Sequence, residues 1–235
     1  MKYITILASS VAAFALTACG NADSKSPSSA DAGAENLASV LPENLRDVSA
    51  ATYSLEPAHA FLTFKVPHGN GVSYYRVTFT DYSATLDFDP AAPEAAQLSV
   101  SINPVGVQTN YPADYKAAHV DSIFESWNED LARDEKWFNA DTYAQISFVS
   151  TNVQRTDDDT GKITGNLTFL GRTSPITLDV TYNGSANAPW YGERDLIGFN
   201  ASTTITRSEW GMGAYLPLIG DTVSVEFSGE FLQDQ

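Results

Sequence analysis

At 235 residues and a net charge of −16, the chain is long enough for one sizeable domain. It is too acidic to hold nucleic acid or an anionic lipid surface by its own charge. A single cysteine excludes an internal disulfide framework and a thiolate metal site.

Residues 1–18 run from Lys2 through an apolar stretch, Ile4 to Leu16, to small residues. This is the pattern of a secretory signal, too short to span a membrane as a mature helix. It ends in Leu16-Thr17-Ala18-Cys19, which resembles the lipobox of bacterial lipoproteins. Acylation at Cys19 would explain a cysteine that otherwise has no partner. The segment contains Lys2 and no acid, so its removal leaves the chain one unit more negative. Gly20 and Asn21 follow the cysteine, with no Asp. By resemblance to enterobacterial sorting, this favours the outer over the inner membrane and a periplasmic location.

Residues 19–51 read as a flexible linker, small and polar through GNADSKSPSSADAGAE. The domain is expected over 52–235. There the pattern turns to period two: Tyr82, Ala84, Leu86 and Phe88 alternate with Ser83, Thr85 and Asp87. Leu98, Val100 and Ile102 do the same, as do Ile146 and Phe148, Ile197 to Ile205, and Val223 to Phe227. GNLTFLGRTSPITLDV, 165–180, reads as a hairpin that turns at Gly171, with Leu167, Phe169, Ile176, Leu178 and Val180 on one face. About eight strands in one domain predict an antiparallel sheet. Closing it into a barrel buries every apolar face and removes both edges. Periodicity alone leaves open whether such a barrel is solid and structural or hollow.

One segment breaks the rhythm. Val120, Phe124, Trp127 and Leu131 are spaced as one face of a helix. Pro112 suits a first turn, and Ser126-Trp-Asn-Glu129 matches a capping box. A helical insertion over 111–136 is expected to cover an end or side of the sheet.

Chemistry-bearing motifs are sparse. His59, His68 and His119 lack metal-site spacing, and no metal is expected. TDDDTGK, 156–162, reads as a solvated hairpin tip, and WGMG, 210–213, as a bend after a strand. Arg207 follows Ile205 by two, so it shares the apolar face and then needs a partner, or else it ends the strand in water. No nucleophile elbow or paired catalytic carboxylates stand out, and no enzyme is expected.

Five stretches in order resemble the YceI-like family of exported bacterial proteins. They are YSLEPAHAFLTFKVPHG (53–69), FTDYSATLDFD (79–89), KWFNADTYAQISFVST (136–151), the hairpin at 165–180, and RSEWGM (207–212). The chain departs from the family at Leu131 and Ala132, which stand where a His-Leu is common, at Val77, which stands for a Gly, and in a longer insertion around 103–128. The resemblance implies a lipocalin-like barrel, hollow, holding a polyisoprenoid such as a quinone tail or a polyprenyl phosphate. That molecule is a ligand and not a catalytic cofactor. Expected cavity residues are Phe61, Phe79, Phe88, Ile146, Phe148, Phe169, Phe199 and Trp210, with His59, His68 and Arg207 at a polar mouth. The alternatives are a filled structural barrel and an enzyme acting on a lipid-like substrate. The expected partners are an isoprenoid lipid and, through acyl chains on Cys19, a membrane.

Overall fold

The computed structural model describes Leu45 and residues 47–235. The expected signal peptide, Cys19 and most of the linker lie outside these residues. Ten strands and two short helices follow in order: β1 Ala51–His68, β2 Ser73–Phe79, β3 Tyr82–Phe88, β4 Gln97–Ile102, β5 Val107–Gln108, α1 Tyr115–Ala118, α2 Trp127–Arg133, β6 Ile146–Arg155, β7 Thr160–Phe169, β8 Arg172–Ala186, β9 Leu196–Thr206 and β10 Thr222–Gln233.

The sheet runs β10-β9-β8-β7-β6-β4-β3-β1, and β1 pairs back onto β10. Eight antiparallel strands therefore close into a barrel, as the alternating pattern predicts. β1 spans its full height. The lower half, Ala51–Ser54, pairs with β3. The upper half, Leu62–His68, pairs with β2, which carries β5 on its far side.

β1 changes parity on the way up. Between the pairs Leu55↔Phe231 and Ala60↔Gly229 it uses four residues, Glu56 to His59, where β10 uses Glu230 alone. Three extra residues move the inward side chains from odd to even numbers. Tyr53 is buried below the bulge, and Leu62 and Val66 are buried above it. Pro57 sits within the bulge, where a missing N–H breaks no ladder bond.

The 165–180 hairpin is β7 and β8, joined through Leu170 and Gly171, both at positive φ. A side chain at Gly171 would meet the Tyr143 ring at 2.7 Å. The acidic run at 157–159 tips the β6–β7 hairpin, where Arg155 pairs with Asp158 at 2.9 Å.

Two core clusters fill the wall from inside. The upper one gathers Leu62, Val77, Phe79, Phe138, Ile146, Phe148 and Phe169. The lower one gathers Tyr53, Leu86, Phe88, Tyr182, Ile197 and Phe231, together with Leu45 and Val48. The packed unit thus reaches back past residue 52 to Leu45. Asp195, buried beside them, accepts from the Ser49 amide at 2.8 Å. Burial, reinforced by the Asp195 charge, pushes the Tyr53 phenol well above its ordinary pKa. Among the described residues the barrel strands form a closed sheet around two packed clusters, all within 45–235.

The insertion is less helical than its stripe predicts. Only α1 and α2 are helices, and Val120 lies in the turn between them, 77% exposed. Ser126 caps α2 as the capping box predicts, its Oγ accepting from the Glu129 amide at 3.1 Å. Asn128 fastens α2 to β5 by donating to Gln108 Oε1 at 2.8 Å.

Candidate functional site: an axial cavity

Three cavities follow one another along the barrel axis. The mouth, about 710 Å³, lies between α1, α2, the upper ends of β1 and β2, and the β9–β10 loop. The body, about 210 Å³, lies inside the upper barrel. The lower chamber, about 140 Å³, lies above Leu45 and the β6–β7 tip. Mouth and body share Phe64, Phe138, Arg207, Met212 and Val223 as walls. Body and lower chamber share Leu98, Leu178, Ala201, Phe227 and Phe231.

The body is lined almost wholly by hydrocarbon, because each strand turns its alternating apolar face inward. Phe138, from the loop after α2, packs against Phe64, Phe79 and Phe169 with ring centroids 5.5–6.0 Å apart. These rings narrow the passage between mouth and body. The Tyr82 hydroxyl lies in the body wall with no hydrogen-bond partner of normal geometry, and burial raises its pKa.

The mouth is aromatic and polar. His68 lies on Tyr75 at 4.6 Å, Tyr75 meets Tyr111, and Tyr111 meets Trp127. Tyr115 stacks on His119 at 4.6 Å, and both abut Trp127. The Trp127 indole donates to the Ala113 carbonyl at 2.8 Å. Tyr115 donates to Asp130 Oδ2 at 2.9 Å, while Asp130 Oδ1 is buried without a partner. Lys136 is held by Asp134 at 2.6 Å, and that bond raises its pKa.

Arg207 stands where mouth and body meet. It is buried, and its partners are backbone carbonyls: Gly220 at 2.8 Å, Met212 at 2.6 Å, Ala214 at 2.9 Å and Ile219 at 2.8 Å. Burial lowers its pKa, and Asp221 nearby opposes the change. Most of its N–H groups are spent on the loop.

Of the expected cavity residues, Phe79, Ile146, Phe148 and Phe169 line the body. Phe88 and Phe199 line the lower chamber. Phe61 does not belong to the cavity: it is 66% exposed on the outer face, because the bulge in β1 reverses its parity. Trp210 is buried in the upper core behind the wall and lines none of the three chambers. His68 and Arg207 reach the mouth. His59 does not. It lies on the bulge outside, 2.7 Å from Glu56 and 3.6 Å from Glu230. Glu56, His59 and Glu230 offer donor atoms within 4.8 Å of one another, a grouping that would suit a cation by geometry alone.

Sequence reasoning missed Leu62, Phe64, Phe138, Phe227 and Phe231 as cavity wall. It also missed the mouth group of Tyr75, Tyr111, Tyr115 and Asp130. Phe227 was legible, since it alternates with Ser224 and Glu226 beside Val223 and Val225. The mouth group had no common signal, because it is assembled from β2, a loop and two short helices that share no periodicity.

A family model described as the YceI-like domain matches residues 53–231. The chain belongs to the YceI-like family. A UPF0312 protein of Pseudomonas fluorescens (strain SBW25) is 34% identical over 185 residues, 78% of this chain and 87% of that one. Among solved structures, Burkholderia cenocepacia BcnA superposes with a TM-score of 0.60 at 20% identity, over 77% of this chain and 99% of that one. A polyisoprenoid-binding domain from Saccharophagus degradans, implicated in plant cell wall breakdown, superposes with a TM-score of 0.52 at 14% identity, over 80% of this chain and all of that one. Leu131 lines the mouth with hydrocarbon.

Proposed function

We propose that this YceI-like protein is an exported, lipid-anchored binding protein that holds a polyisoprenoid or similar long apolar molecule inside its barrel. The carrying observation is the succession of apolar chambers along the axis, with polar groups gathered at the mouth. The name of the Saccharophagus degradans domain supports the ligand class. Each CH₂ of a tail transferred into such a space contributes about 0.8 kcal/mol, so affinity needs no catalytic group. A mostly apolar pocket with a few polar groups at one end is the usual design of a small-molecule site. Open chambers favour a carrier over a filled structural barrel. Most polar side chains of the mouth are engaged in aromatic packing or structural bonds, which favours binding over catalysis. Acylation of Cys19 and a periplasmic location at the outer membrane complete the reading.

The test is to purify residues 45–235 from a bacterial host without detergent, extract with organic solvent and identify the lipid by mass spectrometry. A near-stoichiometric prenylated molecule is expected. Phe148, buried in the body wall, gives the matching variant: Phe148→Asp places a carboxylate in a dry passage and abolishes binding. An empty barrel whose melting temperature no quinone or polyprenyl phosphate raises would leave a structural module as the better reading.

A further inference from the structure

We propose that the rim of the mouth is a membrane-docking surface, by which the open end of the barrel settles on a lipid bilayer. The proposal rests on the surface itself and does not depend on what fills the barrel.

Three segments ring the opening: the β1–β2 turn, the stretch from Tyr111 to Ile123, and the β9–β10 loop. They present Val72 (90% exposed), Ile123 (85%), Val120, Tyr215, Leu218 and Tyr111 to solvent. Seven of the twelve large apolar side chains exposed among the described residues lie on these segments, and Tyr74 follows the first of them at the start of β2. Aliphatic side chains left in water on a monomer are ordinary when scattered, but a ring of them around one opening marks an interaction site.

Charge separates two of these three segments from the rest of the molecule. The chain has 29 acidic residues. Yet HGNGVSYY, 68–75, and GAYLPLIG, 213–220, contain no Asp, Glu, Lys or Arg. The two charge-free segments are joined side by side. His68 bridges to Ile219, the Asn70 amide donates to the Leu218 carbonyl at 3.3 Å, and the Gly220 amide donates to the Pro67 carbonyl at 2.7 Å. Arg207 pins three carbonyls of the second segment from below, those of Ala214, Ile219 and Gly220, and that of Met212 just before it. The Tyr215 ring is stacked on Trp137 at 5.7 Å. The apolar side chains are therefore presented on a braced platform. In the third segment Asp121 stands between Val120 and Ile123, and Asp114, Lys116 and Glu125 flank it.

These features fit a bilayer as occupant. Apolar side chains reaching out singly from separate loops, with Tyr among them, match the boundary between headgroups and acyl chains. A strongly acidic body is repelled by an anionic surface, over about 8–10 Å at physiological salt. A rim with two of its three segments free of charge lets the protein approach a neutral one. The chain enters the barrel at the opposite end, where Leu45 and Val48 are packed, so the rim is not its point of departure.

The experiment is flotation of residues 45–235 with vesicles of phosphatidylcholine alone, and of phosphatidylcholine mixed with phosphatidylglycerol. Wild type should float with the neutral vesicles, and less with the anionic ones. Val72→Glu combined with Ile123→Glu should weaken partitioning about tenfold or more. Its melting temperature should not change, since both side chains are exposed. Trp190→Ala, an exposed aromatic at the far end, should float as wild type does. If the double glutamate variant fails to fold, Val72→Ser with Ile123→Ser asks the same question. Absence of flotation, equal flotation of wild type and rim variants, or an equal loss in Trp190→Ala overturns the proposal. So does self-association or capture of a protein through the rim without vesicle binding.

Discussion

Arg207 takes a full charge into the upper barrel wall with no carboxylate bonded to it. Four loop carbonyls replace the water it loses, and in turn the guanidinium satisfies backbone groups that would otherwise be unpaired. The expected outcome of Arg207→Ala is a loss of about 3 kcal/mol in unfolding free energy, read from urea denaturation. Arg207→Lys, which cannot fork to so many acceptors, should fall between the two. An unchanged midpoint in Arg207→Ala would show that the β9–β10 loop is held without it. Alternation in β9 left this residue either on the inner face or at a strand end in water, and no pattern in the chain named its partners, since they are main-chain atoms brought in by a loop. His59 shows the reverse. It reads as a polar mouth group, and folding carries it to the outer bulge beside Glu56 and Glu230.

At the scale of elements, β10 carries the inner row Val223, Val225, Phe227, Gly229 and Phe231. Phe227 walls both the body and the lower chamber. Gly229 makes room for it: a side chain there would meet the Phe227 ring at 2.5 Å. Phe227 with Phe231 thus acts as a floor under the body, their centroids 6.2 Å apart. Phe227→Ala should merge the two chambers and shift the preferred ligand, in a series of prenyl alcohols of increasing length, toward longer chains. The same substitution costs about 3–5 kcal/mol of stability, so binding is compared below the melting transition. A chain-length preference identical to wild type would remove Phe227 as the floor. β1 shows why such assignments failed elsewhere. Odd-numbered Tyr53 and Leu55 face inward, so Phe61 looks inward by count, but the bulge at Glu56–His59 inverts the upper half. The polar Thr63 and Lys65, which share its parity, were the available warning.

At the scale of the whole molecule, the chain enters the barrel beside the lower core, and the mouth opens at the other end. A tether at Cys19 would therefore join the end away from the mouth. Cys19→Ser should move the protein from the membrane fraction to the soluble periplasm or leave it unprocessed, and wild-type cells fed an alkyne fatty acid should label it. No label on the wild type would dismiss the anchor. The sequence by itself determined the antiparallel barrel, the alternating apolar faces of β3, β4, β6, β7, β9 and β10, the cap of α2, and the family. These depend on local periodicity and short motifs, which survive in one dimension. Only the tertiary structure decided the parity of upper β1, the partners of Arg207, the aromatic mouth, the division of the interior into chambers, and the apolar rim. Each of these depends on distant segments meeting: a bulge is defined against its neighbouring strand, a cavity by the volume that opposing side chains leave unfilled, and a rim by which loops reach the same end of a closed sheet.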